Sequence, residues 1–236
     1  MIMIKNKHRT TQIIILILAS ELVFSLPFHL ARFFRPTFLD IFNLTNTNLG
    51  DIFAVYGSMA MVSYFLGGII ADKISARKLM AVSLLLTASG GIYMSTIPDL
   101  FGMTLLYGYW GITTIFLFWA AMLKATKEWG GDNTQGKAFG LLEGGRGVLA
   151  SLLSAIAIII FASFLPLQIN LASASERLNG FRSIILFYST LTAMGAVLVW
   201  KFLPESQVHT TNKKSSIDFR SLTKVLSNRL VWLHAA

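Results

Sequence analysis

Ionisable side chains stand inside long apolar stretches of this chain, where they could carry a proton or hold an anion. At about 100° per residue, five polar residues fall within an arc of about 120° on one helix face: Glu21, Ser25, His29, Arg32 and Arg35. Ionisable groups inside a bilayer are costly and almost always face a protein interior or a watery cavity. We therefore predict that Glu21, near the middle of its apolar stretch, is a coupling residue that can exchange a proton, and that His29 and Arg32 bind a small molecule. The alternative for the arginines is that they only reach the outer headgroups.

A second charged pair, Glu143 and Arg146, lies three residues apart in another apolar stretch and so shares one helix face. Arginine offers two parallel donors to a carboxylate or phosphate. We predict that Arg146 binds an anionic substrate and that Glu143 couples the exchange by titration or re-pairing. The alternative is a neutral structural lock. Nearby glycines at every fourth position resemble a seam against which another helix packs: Gly136, Gly140 and Gly144.

Aromatic residues are weaker indicators of a site. Tyr56 and Tyr64 are eight residues apart, hence near one helix face, and are candidate substrate-binding residues. Five further aromatics are expected to pack or to anchor at the membrane interface instead of stacking on substrate: Tyr107, Tyr109, Trp110, Trp119 and Trp129.

A compact charged loop separates two of the apolar stretches and contains Gly68, Asp72, Lys73, Arg77 and Lys78. Basic loops resist translocation, so this one is expected on the cytoplasmic side. The order Gly, three residues, Asp-Lys, then Arg-Lys resembles the signature between the second and third helices of the major facilitator superfamily of secondary transporters. A cytoplasmic hairpin of another kind would explain the basic residues but not the ordered Gly and Asp. Ser75 stands where a second glycine is usual, which predicts a less tightly wound turn.

The resemblance implies a fold and a mechanism. In that superfamily two six-helix bundles rock about a central site near the midplane. It implies that Asp72 engages the other bundle to hold a gate, supported by Arg77 and Lys78. Pro204-Glu205-Ser206 resembles the element that closes the first half of sugar-type members. Only this first half is covered, so we expect a truncated or split chain, or alternatively a pair of six-helix chains.

Six apolar windows must position these residues. The chain is 54% hydrophobic and 13% charged, roughly half the charge of an ordinary soluble domain. The windows lie near residues 12–34, 49–71, 79–97, 101–123, 138–163 and 182–203, each about long enough to cross a bilayer. We predict an all-α membrane protein with a six-helix bundle over residues 1–203. A basic cytoplasmic linker (204–229) and the start of an incomplete seventh span (230–236) follow.

The connections between windows are also predictable. Pro98 and Asp99 favour a turn between spans three and four. Irregular backbone is expected over 35–48 because of Pro36 and the Asn/Thr run, and a polar loop over 168–180.

The net charge of +9 could suggest a nucleic-acid partner, but its distribution argues against one. Threading the spans from a cytoplasmic N-terminus puts most basic residues inside, including Lys5, Lys7 and the basic tail. We expect a multi-pass protein of the cell membrane, the inner membrane in a bacterium, with both termini cytoplasmic and lipid as its surroundings.

Several function classes are disfavoured. There is no cysteine, the four histidines have no zinc-ligand spacing, and no Walker-type loop is present. We therefore expect no metal, no cofactor and no enzymatic activity, with energy coming from a gradient. The predicted function is secondary transport of a small, preferably anionic organic solute, a phosphorylated or carboxylated metabolite, coupled to a proton or counter-anion. Alternatives are proton-coupled efflux of hydrophobic compounds through Glu21, and a non-transporting scaffold or sensor.

Overall fold

The structure is a computed structural model that describes residues 2–166 and 172–205, with side chains described from residue 9 onward. Residues 206–229 of the predicted linker and the predicted start of a seventh span, 230–236, lie outside the described residues. The side chains of Lys5 and Lys7 do so as well. These features remain predictions.

All regular secondary structure in the described ranges is helical. The first helix, α1 (Ile2–Phe24), runs through a π-helical turn (Ser25–His29) into α2 (Leu30–Phe33), and α3 (Arg35–Ile41) follows. Next come α4 (Asn46–Lys73) and α5 (Ala76–Met94). Helix α6 (Leu100–Ile112) continues through a second π-helical turn (Thr113–Trp119) into α7 (Ala120–Gly130), before α8 (Gln135–Ala162) and α9 (Ala174–Phe202). The predicted all-α fold class is confirmed.

Within the described residues, five helical stretches are long and apolar enough to cross a bilayer: Arg9–Phe33, Asn46–Lys73, Leu100–Gly130, Gln135–Ala162 and Ala174–Phe202. Each overlaps one of the predicted windows. The remaining window, 79–97, overlaps α5, which has 19 residues. Arg77 and Lys78 lie in the first turn of α5 and make it less apolar than the other five.

The connection after span one is more regular than the sequence suggests. Irregular backbone is predicted over 35–48, whereas α3 is helical from Arg35–Ile41. Pro36 lies in the first turn of α3, where its missing N–H has no intrahelical partner to lose. The prediction is wrong for these seven residues because proline disrupts the interior of a helix but readily starts one.

The predicted polar loop over 168–180 also ends early, because α9 begins at Ala174. The Ser173 side chain accepts a bond from the backbone N–H of Glu176 (3.2 Å), and the Glu176 carboxylate accepts one from the backbone N–H of Ser173 (2.8 Å). This reciprocal capping box satisfies two N–H groups that a helix start leaves unpaired. Residues 167–171 of the loop lie outside the described ranges.

Helix α1 lies at the centre of the bundle, where it contacts α5, α7, α8 and α9. Its span, Arg9–Phe33, is 72% buried in its most apolar window, against 28% for α4 and 17% for α8. The outward faces of α4 and α8 carry large exposed apolar side chains, including Met61, Phe65, Val148, Leu152 and Ile159. The bundle therefore has a buried centre at α1 and two apolar flanks at α4 and α8.

Glycine permits a close helix contact between α6 and α4, whereas three glycines of α8 make no such contact. A Cβ on Gly111 of α6 would lie 2.5 Å from the Tyr56 carbonyl oxygen, so its absence lets α6 approach α4. By contrast, nothing described lies within 4 Å of a Cβ built on Gly136, Gly140 or Gly144. No described helix therefore packs closely on this glycine seam, although Gly140 and Gly144 line a groove beside Ile14, Ile17 and Leu18 of α1. The seam stays a prediction.

Candidate functional site

A buried hydrogen bond joins Glu21 of α1 to His29 of the first π-helical turn. The His29 Nε2 and Glu21 Oε1 atoms are 2.8 Å apart, and each residue is 5% exposed. An ionised carboxylate can only accept, so His29 donates through Nε2. Ser25 is buried on the same stretch, but its hydroxyl donates to the Leu22 carbonyl and does not join the pair.

The π-helical turn accounts for this contact. Eight residues of α-helix rotate by about 800°, which would leave Glu21 and His29 about 80° apart. A π-helical turn closes i→i+5 bonds and so absorbs about one extra residue, which removes about 100° of rotation. The side chains of Glu21 and His29 then lie within about 20° of each other around the helix axis. Pro27 lies inside this turn, and a proline in a helix interior lacks the N–H for the usual backbone bond.

Tyr107 of the neighbouring helix α6 forms a hydrogen bond to this π-helical turn. Its hydroxyl is fully buried and donates to the Pro27 carbonyl at 2.9 Å. A buried hydroxyl is costly unless it is paired, so this bond favours one position of the turn relative to α6.

Arg146 of α8 lies between two carboxylates. Its Nε is 3.4 Å from Glu21 Oε2, an ion pair without hydrogen-bond geometry. Its Nη1 donates to both carboxylate oxygens of Glu143 at 3.0 Å. The Glu21 side chain is 7% exposed and that of Glu143 is 59% exposed. Arg146 thus connects a buried carboxylate on α1 with a solvated one on its own helix.

These groups face one cavity of about 400 Å³, a volume within the range of small-molecule sites. The lining residues are Glu21, Phe24, Phe28, His29, Arg32, Tyr56, Ala60, Tyr64, Ile115, Trp119 and Arg146. They include six of the seven residues predicted for substrate binding or coupling. Glu143 does not line the cavity and reaches it only through Arg146.

Three further cavity residues, Tyr56, Tyr64 and Arg32, differ in the contacts that fix their side chains. The Tyr56 hydroxyl shares a buried hydrogen bond of 2.8 Å with Thr114 of the second π-helical turn. Tyr64 is 51% exposed and contacts the Trp119 ring edge to face. Arg32 is exposed, and its guanidinium lies 5.5 Å from the centre of the Phe33 ring. Arg35 lies outside the cavity and donates to Asn46.

Sequence reasoning missed three aromatic side chains that line the cavity, Phe24, Phe28 and Trp119, here called the aromatic wall. Trp119 was expected to pack or to anchor at an interface, yet it lines the cavity and contacts Phe24 at 6.0 Å between ring centres. Each π-helical turn contributes one aromatic lining residue, Phe28 from the first and Trp119 from the second. A sequence signal was present: Trp119 falls well inside its 31-residue span, far from the interfaces where tryptophan anchors concentrate.

The charged loop lies apart from the cavity. Gly68, Asp72 and Lys73 belong to the last turns of α4, and nothing approaches within 4 Å of a Cβ built on Gly68. Asp72 and Lys73 are exposed and form no ion pair with any described residue. Ser75 adopts an extended backbone (φ −62°, ψ 138°) that any residue can adopt, so the turn does not require the second glycine.

Glu205 binds the other end of this loop. Its carboxylate lies 2.8 Å from Arg77 Nη2 and 2.7 Å from Lys78 Nζ. The neighbouring Lys78 ammonium and Arg77 guanidinium lower the pKa of Glu205. Arg77 also lies 5.4 Å from the centre of the Trp200 ring. Glu205 of the Pro-Glu-Ser element, far from the loop in sequence, therefore contacts it just after the end of α9.

Within the described ranges, no three His, Asp or Glu side chains lie together in a way that could hold a metal ion. What the cavity offers instead is two guanidinium groups, a buried carboxylate paired with an imidazole, and an aromatic wall. This set can bind an organic anion and exchange a proton.

A family model described as "Major Facilitator Superfamily" matches residues 14–236. Inner membrane protein YihN of Escherichia coli (strain K12) is 27% identical over 225 residues, covering 94% of this chain and 51% of that protein. Inner membrane protein YqcE of the same strain is 29% identical over 191 residues, covering 80% and 43%. The chain spans about half the length of the curated relatives it matches. No solved structure shows a significant match to it.

Proposed function

Because this chain belongs to the major facilitator superfamily, we propose that it forms one six-helix half of a secondary transporter for a small organic anion, working by alternating access. Members of that superfamily are generally transporters and not enzymes, so we assign no catalytic reaction. The observation that carries the proposal is Arg146, a cavity-lining arginine tied to two carboxylates that a substrate could replace.

Anion binding would proceed by exchange of partners. A substrate carboxylate or phosphate entering the cavity can take the guanidinium of Arg146 from Glu21, with Arg32 as a second positive charge at the wall. Arginine suits this exchange because its donors fit a planar or tetrahedral anion in pairs. The alternative, efflux of hydrophobic compounds, would give no partner to the two guanidinium groups of Arg32 and Arg146.

Proton coupling follows from the same exchange. Once Arg146 turns to the substrate, Glu21 is left as a buried carboxylate without its cation, a costly state. A proton on Oε2, the oxygen that Arg146 leaves, removes that cost. The other oxygen, Oε1, can still accept the bond from His29. We propose that a proton therefore enters with the anion, and that Glu143, being largely solvated, plays a smaller part.

The surroundings are proposed on the same basis. Two relatives are named inner membrane proteins, and together with the apolar helices this supports a multi-pass protein of the inner membrane. The distribution of basic residues supports cytoplasmic termini. A second six-helix unit, in the same chain or as a second chain, would face the exposed flanks of α4 and α8. Asp72 is exposed and available to such a unit as a gate residue.

Ligand binding to the full chain in lipid nanodiscs tests the proposal. We expect organic carboxylates or phosphates to bind at least tenfold more tightly than neutral compounds of the same size. Arg146→Gln should weaken anion binding by about ten- to hundredfold, as expected for a hydrogen bond to a charged group. The matched control is Arg182→Gln, since Arg182 donates to the Ser95 carbonyl away from the cavity. Equal losses in both variants, or no preference for anions, would refute the proposal.

A further inference from the structure

A buried ring nitrogen of His29 lies in the cavity wall without a hydrogen-bond partner among the described residues. His29 lines the cavity and is 5% exposed, yet its Nδ1 is buried and hydrogen-bonds to no described residue. The ring is flanked edge to face by Phe33 at 5.4 Å and Tyr188 at 5.7 Å. Buried polar atoms are almost always paired in native proteins, so this one, in the wall of the candidate site, is available to a ligand atom.

The chemical character of that ligand atom follows from the other side of the imidazole. His29 Nε2 carries its proton, because it donates to the Glu21 carboxylate. An imidazole whose proton is on Nε2 can only accept at Nδ1. A ligand atom that pairs with Nδ1 is therefore a donor.

The cavity wall also offers donors and ring faces. Trp119 and Tyr64 line the cavity, and an indole N–H and a phenolic hydroxyl can both donate hydrogen bonds. Phe24, Phe28 and Trp119 supply aromatic surface next to Arg146, whose guanidinium lies 5.6 Å from the Phe24 ring centre. A ligand matching this wall has an anionic group, a carbon surface and groups that both give and accept hydrogen bonds.

We propose that the site selects hydroxylated organic anions, and that a substrate hydroxyl donates to His29 Nδ1 while the substrate's anionic group binds Arg146. This assignment rests on the proposed function, because it takes the anion at Arg146 as given. It narrows the substrate class to molecules such as sugar acids and other ring or chain polyols that carry a carboxylate or phosphate. The hydroxyl is a specificity contact, and no covalent chemistry is involved.

A ligand series on the unmodified full chain tests the proposal. Cyclohexanecarboxylate, its monohydroxy derivatives and glucuronate share a six-membered ring and one negative charge but differ in hydroxyl groups, and glucose supplies the hydroxyls without the charge. The affinity of each compound for the full chain in nanodiscs would be measured by calorimetry. The best hydroxylated carboxylate should bind about ten- to hundredfold more tightly than cyclohexanecarboxylate, since the latter leaves Nδ1 buried and unpaired.

Two variants locate the hydroxyl contact. In His29→Gln the amide N–H stands near the position of Nε2 and can still donate to Glu21, but nothing replaces Nδ1. The affinity ratio between hydroxylated and plain carboxylates should fall about tenfold or more. In His29→Asn the amide oxygen stands near the position of Nδ1 and should retain part of the ratio. Thermal unfolding of each variant checks that the bundle is intact.

The outcomes separate the two proposals. If cyclohexanecarboxylate binds as tightly as every hydroxylated carboxylate, the hydroxyl contact is refuted and anion transport stands. The same holds if His29→Gln leaves the ratio unchanged. If none of the carboxylates binds more tightly than glucose, the proposed function is refuted, and the hydroxyl contact with it.

Discussion

At the scale of single residues, the site depends on how one guanidinium is shared. Arg146 pairs with a nearly buried carboxylate, Glu21, and with a largely solvated one, Glu143. Losing a cation partner costs a buried carboxylate far more than a solvated one. The two glutamates, which the sequence treats alike as coupling candidates, are therefore unequal in the structure.

This inequality predicts which carboxylate takes up a proton. Binding of an organic anion should be accompanied by proton uptake, measurable by calorimetry in buffers of different ionisation enthalpy. Glu21→Gln should abolish the uptake while leaving anion binding measurable, and Glu143→Gln should reduce it little. In vesicles, the first variant should lose accumulation driven by a pH gradient but retain exchange. Proton uptake that survives Glu21→Gln and disappears in Glu143→Gln would reverse the assignment.

The Glu21–Arg146 pair also has a predicted signature in stability. Arg146→Gln should destabilise the bundle by about 1–3 kcal/mol, below the cost of breaking a fully buried pair because Arg146 is partly exposed. Adding Glu21→Gln should recover part of this loss by removing the unpaired charge. A double-mutant cycle on thermal unfolding measures the coupling. If the two effects simply add, the 3.4 Å contact contributes nothing to stability.

At the scale of helices, two π-helical turns contribute residues to the cavity. The first of them, Ser25–His29, accepts a hydrogen bond from the Tyr107 hydroxyl of α6. Tyr107→Phe removes the bond to the Pro27 carbonyl but preserves the ring. We expect the Glu21–His29 alignment to loosen, so that anion binding weakens about three- to tenfold and takes up less than one proton. Tyr109→Phe is the matched control, because its hydroxyl binds the Leu86 carbonyl on α5, away from the cavity. Similar effects in both variants would mean that only general packing had changed.

The helices also show what could be predicted from the sequence. The polar stripe on span one was visible because ionisable residues are rare in apolar windows and their spacing is regular. The π-helical turn that brings Glu21 to His29 was not, because a proline indicates a disturbance but not its form. Helix α3 was missed through an overly strict use of Pro36, whereas the capping box at Ser173 and Glu176 was present as a readable pattern. Trp119 was misassigned because residue type alone does not separate a cavity wall from a packing contact.

At the scale of the whole molecule, Glu205 joins the end of α9 to the loop before α5. Its pKa is lowered by Lys78 and Arg77, so this contact stabilises the fold at pH values above the ordinary glutamate pKa and is lost as the pH falls below it. Glu205→Gln should lower the thermal stability slightly at pH 7, and the difference from the unmodified chain should shrink as the pH falls through the lowered pKa of Glu205. Asp72→Asn, which removes an exposed carboxylate of α4 without an ion pair to any described residue, is the control for the loss of one negative charge. A difference that stays constant as the pH falls would exclude the ion pair as its source.

The flanks of α4 and α8 turn large apolar side chains outward. In water such a surface would drive aggregation, but lipid tails are as apolar as leucine and exert no comparable force. Solvation therefore does not require anything to cover these helices. Nothing described lies within 4 Å of a Cβ built on Gly140 or Gly144, so α8 has room there for a neighbouring helix. In a bilayer this bundle can persist with both flanks bare, and the second unit proposed above need not be present when the bundle inserts.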